Sequence, residues 1–355
     1  MTWVIVVAAA FVALVVASRW SRARTLRRLR RASRVVRTVK GDVEYARLGS
    51  GPAVVVLHGG LGGFDQGLGI GASLLTARDE LIGFDEGFAG GDERLRGRFT
   101  LIAPSRAGYL RTPIASGRTP REAADAVAAL LDELGIARAI VMGVSSGGPT
   151  ALELALAHPD RTAALVLVSP VTRRLEHLPE TRNSLAGRLA FARSTGWMLE
   201  LGYGAVLVGA RVFPRMACSQ VLRATETFGA SERRARLAGI AQRAELMRWF
   251  QSLLRSGHPF TTRKAGLDHD LGLFAELADS PVERIACPAL VVHGRNDASV
   301  PYADSERAAR SIPGAEFHTV ESCGHFVWLA PEFPALRRAV VAFAERHGHA
   351  ASALA

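Results

Sequence analysis

Cysteine is scarce in this sequence. Cys218, Cys287 and Cys323 are the only three in 355 residues. Their odd number and wide spacing exclude a disulfide framework and a clustered zinc site. Acid is missing from the N-terminal stretch, where no Asp or Glu precedes Asp42. Charge of either sign is missing from Trp3 to Ala17, WVIVVAAAFVALVVA. There is no internal repeat and no interior low-complexity tract. With 48% hydrophobic and 22% charged residues, the chain is not disordered and can bury one large core or two smaller ones.

What is abundant is base, and it is concentrated. The net charge is +11, and ten of the 44 basic residues lie between Arg19 and Lys40. From Gly41 onward the charges nearly balance, 34 basic against 33 acidic. A nucleic-acid partner needs a basic face on the folded body or a known motif. Neither is present, so no nucleic acid is expected. Trp3 and Trp20 are 17 residues apart, about 26 Å of helix, close to a thin hydrocarbon layer. A cleaved signal peptide carries its positive charge ahead of the apolar stretch; here the charge follows it. Residues 1–18 are therefore expected to be a retained single-pass transmembrane helix whose C-terminal side faces the cytoplasm. Residues 19–40 are expected to lie as an amphipathic helix on anionic headgroups, with a solvated linker as the plain alternative.

Beyond Gly41, strands alternate with helices. GDVEYARLG, AVVVLHGG, RFTLIAPS, ARAIVMGV, AALVLVSP, CPALVVHG and AEFHTV read as strands. Thr119-Pro120-Arg121-Glu122 is a capping box opening a helix. Such alternation implies a doubly wound, mostly parallel sheet, with ligands at the C-terminal strand ends. One interval, 171–281, is helical only. Its apolar run has ten uncharged residues between Glu200 and Arg211, too few to span a bilayer. It reads as a helical cap inserted into a core formed by 41–170 and 282–348.

The chemistry centres on VMGVSSGGPT. A serine that must stand clear of its backbone needs a sharp strand-to-helix turn with small neighbours two residues either side. Gly143-Val144-Ser145-Ser146-Gly147 fits with Ser145 at the centre; centring on Ser146 breaks the pattern. A nucleophilic serine needs a base, an orienting acid and an oxyanion hole. Asp297 and His325 each follow a strand, and Gly60 follows AVVVL. The backbone N–H groups of Gly60 and Ser146 are the oxyanion candidates.

The order Ser145, Asp297, His325, with the early His-Gly-Gly loop, resembles the α/β-hydrolase fold family from about Val39 to Gly348. The resemblance implies an eight-stranded, mostly parallel sheet with the cap after the sixth strand. It also implies Ser145 as nucleophile, His325 as base and Asp297 as orienting acid. Serine at 145 disfavours the aspartate-nucleophile dehalogenases and epoxide hydrolases. SRAGYLRT departs from a stretch common in capped members, with Ser105 at an acid's place and Leu110 at a glycine's. The acids Asp79, Glu80, Asp85, Glu86, Asp92 and Glu93 suggest either a solvated loop or a rim for a substrate amine, as in proline aminopeptidases of this fold. Asp268, His269 and Asp270 read as helix N-terminal capping rather than a metal site, His58 as bonded to backbone, and Arg106 as a structural ion pair more than a substrate contact.

The expectation is a membrane-tethered serine hydrolase, carboxylesterase-like, without cofactor or metal. It would cleave an ester, less readily an amide or C–C bond, of a small apolar substrate. Acyl transfer or a lyase reaction on the same triad, or ligand binding without turnover, are the alternatives.

Overall fold

The computed structural model describes residues 2–76, 81, 83–84, 95, 97–176 and 196–351. Among these, eight strands form one sheet: β1 (Arg34–Thr38), β2 (Gly41–Gly49), β3 (Ala53–Leu57), β4 (Thr100–Pro104), β5 (Ala139–Val144), β6 (Thr162–Val168), β7 (Ala289–Gly294) and β8 (Glu316–Val320). Their order is β1-β2-β4-β3-β5-β6-β7-β8. The pairs β1–β2 and β2–β4 are antiparallel, and the rest are parallel.

The central strands are continuous apolar runs because both faces of the sheet are covered. Alternate residues serve alternate faces. Val54 and Val56 of β3 pack with Phe64 and Leu68 of α2 (Phe64–Leu75). Val55 and Leu57 pack with Leu130 of α3 (Pro120–Glu133) and Leu152 of α4 (Gly148–Ala157). Thr119 caps α3, accepting from the Glu122 N–H at 3.1 Å. Between β6 and β7 lie α5 (Gly196–Val212), α6 (Pro214–Thr225), α7 (Ala230–Gln242), α8 (Ala244–Ser256) and α9 (Lys264–Phe274). After β7 come α10 (Tyr302–Ser311) and, after β8, α11 (Phe333–Gly348).

The N-terminal region differs from expectation. One helix, α1, runs from Thr2 to Ala32, through the apolar stretch and into the basic one. It does not continue to Lys40. Arg34–Thr38 is instead the edge strand β1, turned back on β2 through Val39 and Lys40, with Gly41 at φ +113°. The Thr38 hydroxyl closes that turn by donating to the Gly41 carbonyl at 2.8 Å. The sheet therefore begins within the segment read as a headgroup-bound helix. Pairing with β2 decides this, and no periodicity within RVVRT announces it.

The end of α1 is also part of the body. Leu29 is 3% exposed and joins the core. Ser33 donates to the buried Glu44 at 2.8 Å, and Arg111 donates to the same carboxylate at 2.6 Å. Higher up, Ser21 meets His258 at 3.4 Å and Arg22 donates to Thr261 at 3.3 Å. Among the described residues no single helix is long and apolar enough to cross a membrane. The pair Met198–Val212 and Pro214–Thr225 has the length and composition together but is bent by 119°.

Candidate active site

β5 delivers Ser145 at its end, in the left-handed region at φ +50°. A non-glycine residue there costs of order 1 kcal/mol and is held by its surroundings. The flanking glycines are required by close approach. A Cβ at Gly143 would stand 2.6 Å from the Ala151 Cβ, and one at Gly147 would run into the Leu57 carbonyl oxygen. The turn is further fixed where Val171 N–H donates to the Ser145 carbonyl at 3.0 Å. Ser145–Gly147 forms a 3-10 turn that leads directly into α4.

Asp297 follows β7 and His325 follows β8. His325 Nε2 is 3.0 Å from Ser145 Oγ, and its Nδ1 is 2.7 Å from Asp297 Oδ2. The other carboxylate oxygen of Asp297 accepts from the backbone N–H of Ser299 at 2.7 Å and of Val300 at 3.0 Å. Burial opposes the charge of Asp297. The charge on His325 and hydrogen bonds from His293 and His325 outweigh it and hold the carboxyl well below its usual range. Burial likewise opposes protonation of His325, and the Asp297 carboxylate overrides it, so the imidazole is more basic than usual.

Gly60 and Ser146 line the same cavity as Ser145 and His325, about 360 Å³ in volume. Its walls are mostly apolar, with Tyr203, Trp249, Leu253, Leu254, Leu267 and Trp328 among them. Trp249 and Trp328 stack with centroids 5.4 Å apart. The loop carrying Gly60 is pinned at both ends by buried arginines. Arg106 donates to the His58 carbonyl at 2.9 Å, and Arg263 donates to the Gly62 carbonyl at 2.7 Å. His58 is neutral: burial, then the Arg106 charge, pushes its pKa well below the usual value. Its Nδ1 bonds the Gly59 carbonyl at 2.7 Å and its Nε2 accepts from the Arg106 N–H at 3.0 Å.

Arg106 is an ion-pair residue, bidentate to Asp270 at 2.9 and 2.5 Å. This corrects the capping reading of Asp268, His269 and Asp270. α9 starts at Lys264, so the three lie inside the helix. Asp268 pairs with Lys264 and Asp270 with Arg106. No group of three metal-ligating side chains occurs among the described residues. Ser105, at the place of an acid, donates to Glu44 at 3.1 Å and accepts from Phe64 N–H at 3.1 Å. Leu110, at the place of a glycine, keeps the left-handed backbone at φ +51°. The six acids of the 79–93 stretch lie outside the described residues.

Three participants carried no sequence signal. His293 on β7 is fully buried, 3.0 Å from Asp297 Oδ2 and 2.7 Å from Ser305 Oγ. Ser169 donates to the His325 carbonyl at 3.1 Å. Glu226, beyond α6, pairs with Arg236 at 2.6 Å, and its segment is bridged to the Asp297 loop. Ala298 and His325 both donate backbone N–H groups to the Thr225 carbonyl, at 3.1 and 3.4 Å. None of these belongs to a local motif; only the fold brings them to the site.

Residues 52–200 match the family model described as alpha/beta hydrolase fold, and residues 275–350 match one described as TAP-like protein. A putative carbamate hydrolase, RutD, from Caulobacter sp. (strain K31) is 30% identical over 245 residues, 68% of this chain and 79% of the relative. A 2-hydroxymuconate semialdehyde hydrolase from Pseudomonas putida is 28% identical over 231 residues, 64% of this chain and 70% of that one. Among solved structures, an alpha/beta hydrolase fold protein from Nakamurella multipartita is 31% identical. It superposes with a TM-score of 0.72, covering 87% of this chain and 97% of its own. The chain belongs to the α/β-hydrolase fold family. These two relatives are both named hydrolases but of different substrates, so hydrolase is the class they carry to this chain.

Proposed function

We propose that the chain is a membrane-tethered serine hydrolase, carboxylesterase-like, acting on esters of small apolar substrates. The observation that carries this is the unbroken chain Ser145–His325–Asp297, at 3.0 and 2.7 Å, opening into an apolar cavity. Ser145 Oγ attacks the acyl carbon while His325 Nε2 takes its proton. Asp297 holds the imidazole with Nδ1–H toward the carboxylate and steadies the imidazolium. The N–H groups of Gly60 and Ser146 meet the oxyanion. The imidazolium returns the proton to the leaving alcohol. Water, deprotonated by the same histidine, then releases the acid and frees Ser145. Every proton and electron pair is handled by these residues and water.

In this reading 171–281 is the cap, and of its described residues Tyr203, Trp249, Leu253, Leu254 and Leu267 contribute to the cavity's apolar wall. Amides and C–C bonds are slower substrates, since they need a better-activated leaving group. The tether is the apolar half of α1, where Trp3, Val6, Val12, Leu14 and Val16 are all more than half exposed. The arginines behind it face an anionic cytoplasmic leaflet. A p-nitrophenyl ester series across acyl lengths, run on the wild type and Ser145→Ala, tests the chemistry. Short and medium esters should turn over and the variant should not. Equal rates in both would refute it. Pelleting with membranes in high salt tests the tether separately.

A further inference from the structure

A second cavity lies where α1 crosses the α5–α8 pair, about 660 Å³ in volume. Its α1 wall carries Trp20, Arg24 and Arg28, at i, i+4 and i+8 on one helix face. Leu207, Val208 and Arg211 of α5 and Arg255 of α8 line the same cavity. Four guanidinium-bearing residues thus share one cavity, and among the described residues no carboxylate lines it. Arg24, Arg28 and Arg211 have no acidic partner among the described residues, and Arg24 lies over the Trp20 ring, 5.5 Å from its centroid. These guanidinium groups are solvent-exposed, so their mutual repulsion is screened, but an anion seated among them would take charge-assisted contacts from several at once. Guanidinium groups match phosphate geometry in a bidentate manner.

We propose that this cavity binds one phosphate-bearing anion, with the headgroup of an anionic lipid as its source. The lipid source rests on the membrane-tethered reading above; the anion site does not. The apolar half of α1 leads straight into the arginine face, so a headgroup at the cavity would keep its chains beside an apolar helix. Leu207 and Val208 supply apolar wall that a bare phosphate does not need. The site also backs onto the active cavity. Tyr203 and Leu254 line the active site, and Leu207 and Arg255 line this one, on the same two helices. The Tyr203 hydroxyl ties those helices together by donating to the Leu254 carbonyl at 2.6 Å.

The test is calorimetric titration of full-length Ser145→Ala protein in neutral detergent. That substitution removes turnover, so the result does not depend on the proposed chemistry. The probes are dihexanoyl phosphatidate, dihexanoyl phosphatidylcholine and inorganic phosphate. Saturable phosphatidate binding at one per chain is expected. Adding Arg24→Gln and Arg211→Gln should weaken it roughly 100-fold, two charge-assisted contacts at about tenfold each. Arg24→Lys with Arg211→Lys should fall between, which carries the test if the glutamine pair fails to fold. Arg30→Gln with Arg31→Gln removes the same charge away from the cavity and should change affinity less than about threefold. Phosphatidate binding at least about tenfold tighter than inorganic phosphate supports the lipid source. Equal affinity keeps the anion site and overturns the lipid source. Equal loss in the control pair, equal binding of phosphatidylcholine, or no saturable binding of either phosphate probe overturns the site.

Discussion

Replacing Asp297 by Asn is the most informative single change, because the structure dictates how the amide must sit. Oδ1 receives the backbone N–H groups of Ser299 and Val300 at 2.7 and 3.0 Å. An NH₂ group placed there would face two donors, so the amide oxygen takes that position. The NH₂ group then replaces Oδ2, 2.7 Å from His325 Nδ1 and 3.0 Å from His293 Nε2. It donates to His325 Nδ1 and forces the ring proton onto Nε2, which faces Ser145 at 3.0 Å. A protonated Nε2 cannot accept the serine proton. Turnover should fall by about 10⁴, with the substrate KM little changed. The pH profile adds a second readout. The base works when neutral, so activity rises with pH through the pKa of His325. Asp297 raises that pKa above the usual histidine value. In the variant the rising limb of the residual activity should move to lower pH. Ester hydrolysis between pH 5 and 9, with circular dichroism to confirm folding, measures both. A folded variant with near-normal turnover would refute the reasoning.

Further outcomes follow from packing. Gly147→Ala drives a methyl group into the Leu57 carbonyl, and should destabilise the fold by about 1–3 kcal/mol, read as a lower unfolding midpoint. Glu226→Gln leaves the guanidinium of Arg236 beside a neutral amide in a largely buried setting. It should cost about 3 kcal/mol and lower kcat more than it raises KM, because the segment also holds the Asp297 and His325 loops; Glu226→Gln with Arg236→Met should regain part of the stability. Deleting residues 2–17 should leave a folded, active enzyme that binds membranes only weakly and salt-sensitively, through the arginines of 19–40. Deleting 2–40 should not, since it removes β1, Leu29 and Ser33 from the body; equal melting temperatures of the two truncations would contradict that.

The central strands and the Ser145 turn were legible because their signals are local. A buried parallel strand is a short Val, Ile and Leu run, and the elbow needs small residues two places either side of the serine. The edge strand β1 was not legible. RVVRT continues a basic run, and only its pairing with β2 makes it a strand. Asp268 and Asp270 misled in a related way. An acid near a helix start reads as a cap, but α9 begins at Lys264 and Asp270 serves Arg106, 164 residues away. His293 illustrates the same limit. It sits on a strand like any buried residue, and its place beside Asp297 depends on the turn Gly294–Val300 folding back.

Turnover by this triad requires Ser145 Oγ to be the nucleophile. Full-length protein should be treated with a fluorophosphonate probe, digested, and the adduct located by tandem mass spectrometry. The adduct should sit on Ser145, vanish in Ser145→Ala and persist in Ser146→Ala, whose backbone N–H remains. An adduct on Ser146, or equal labelling of folded Ser145→Ala and wild type, would contradict it.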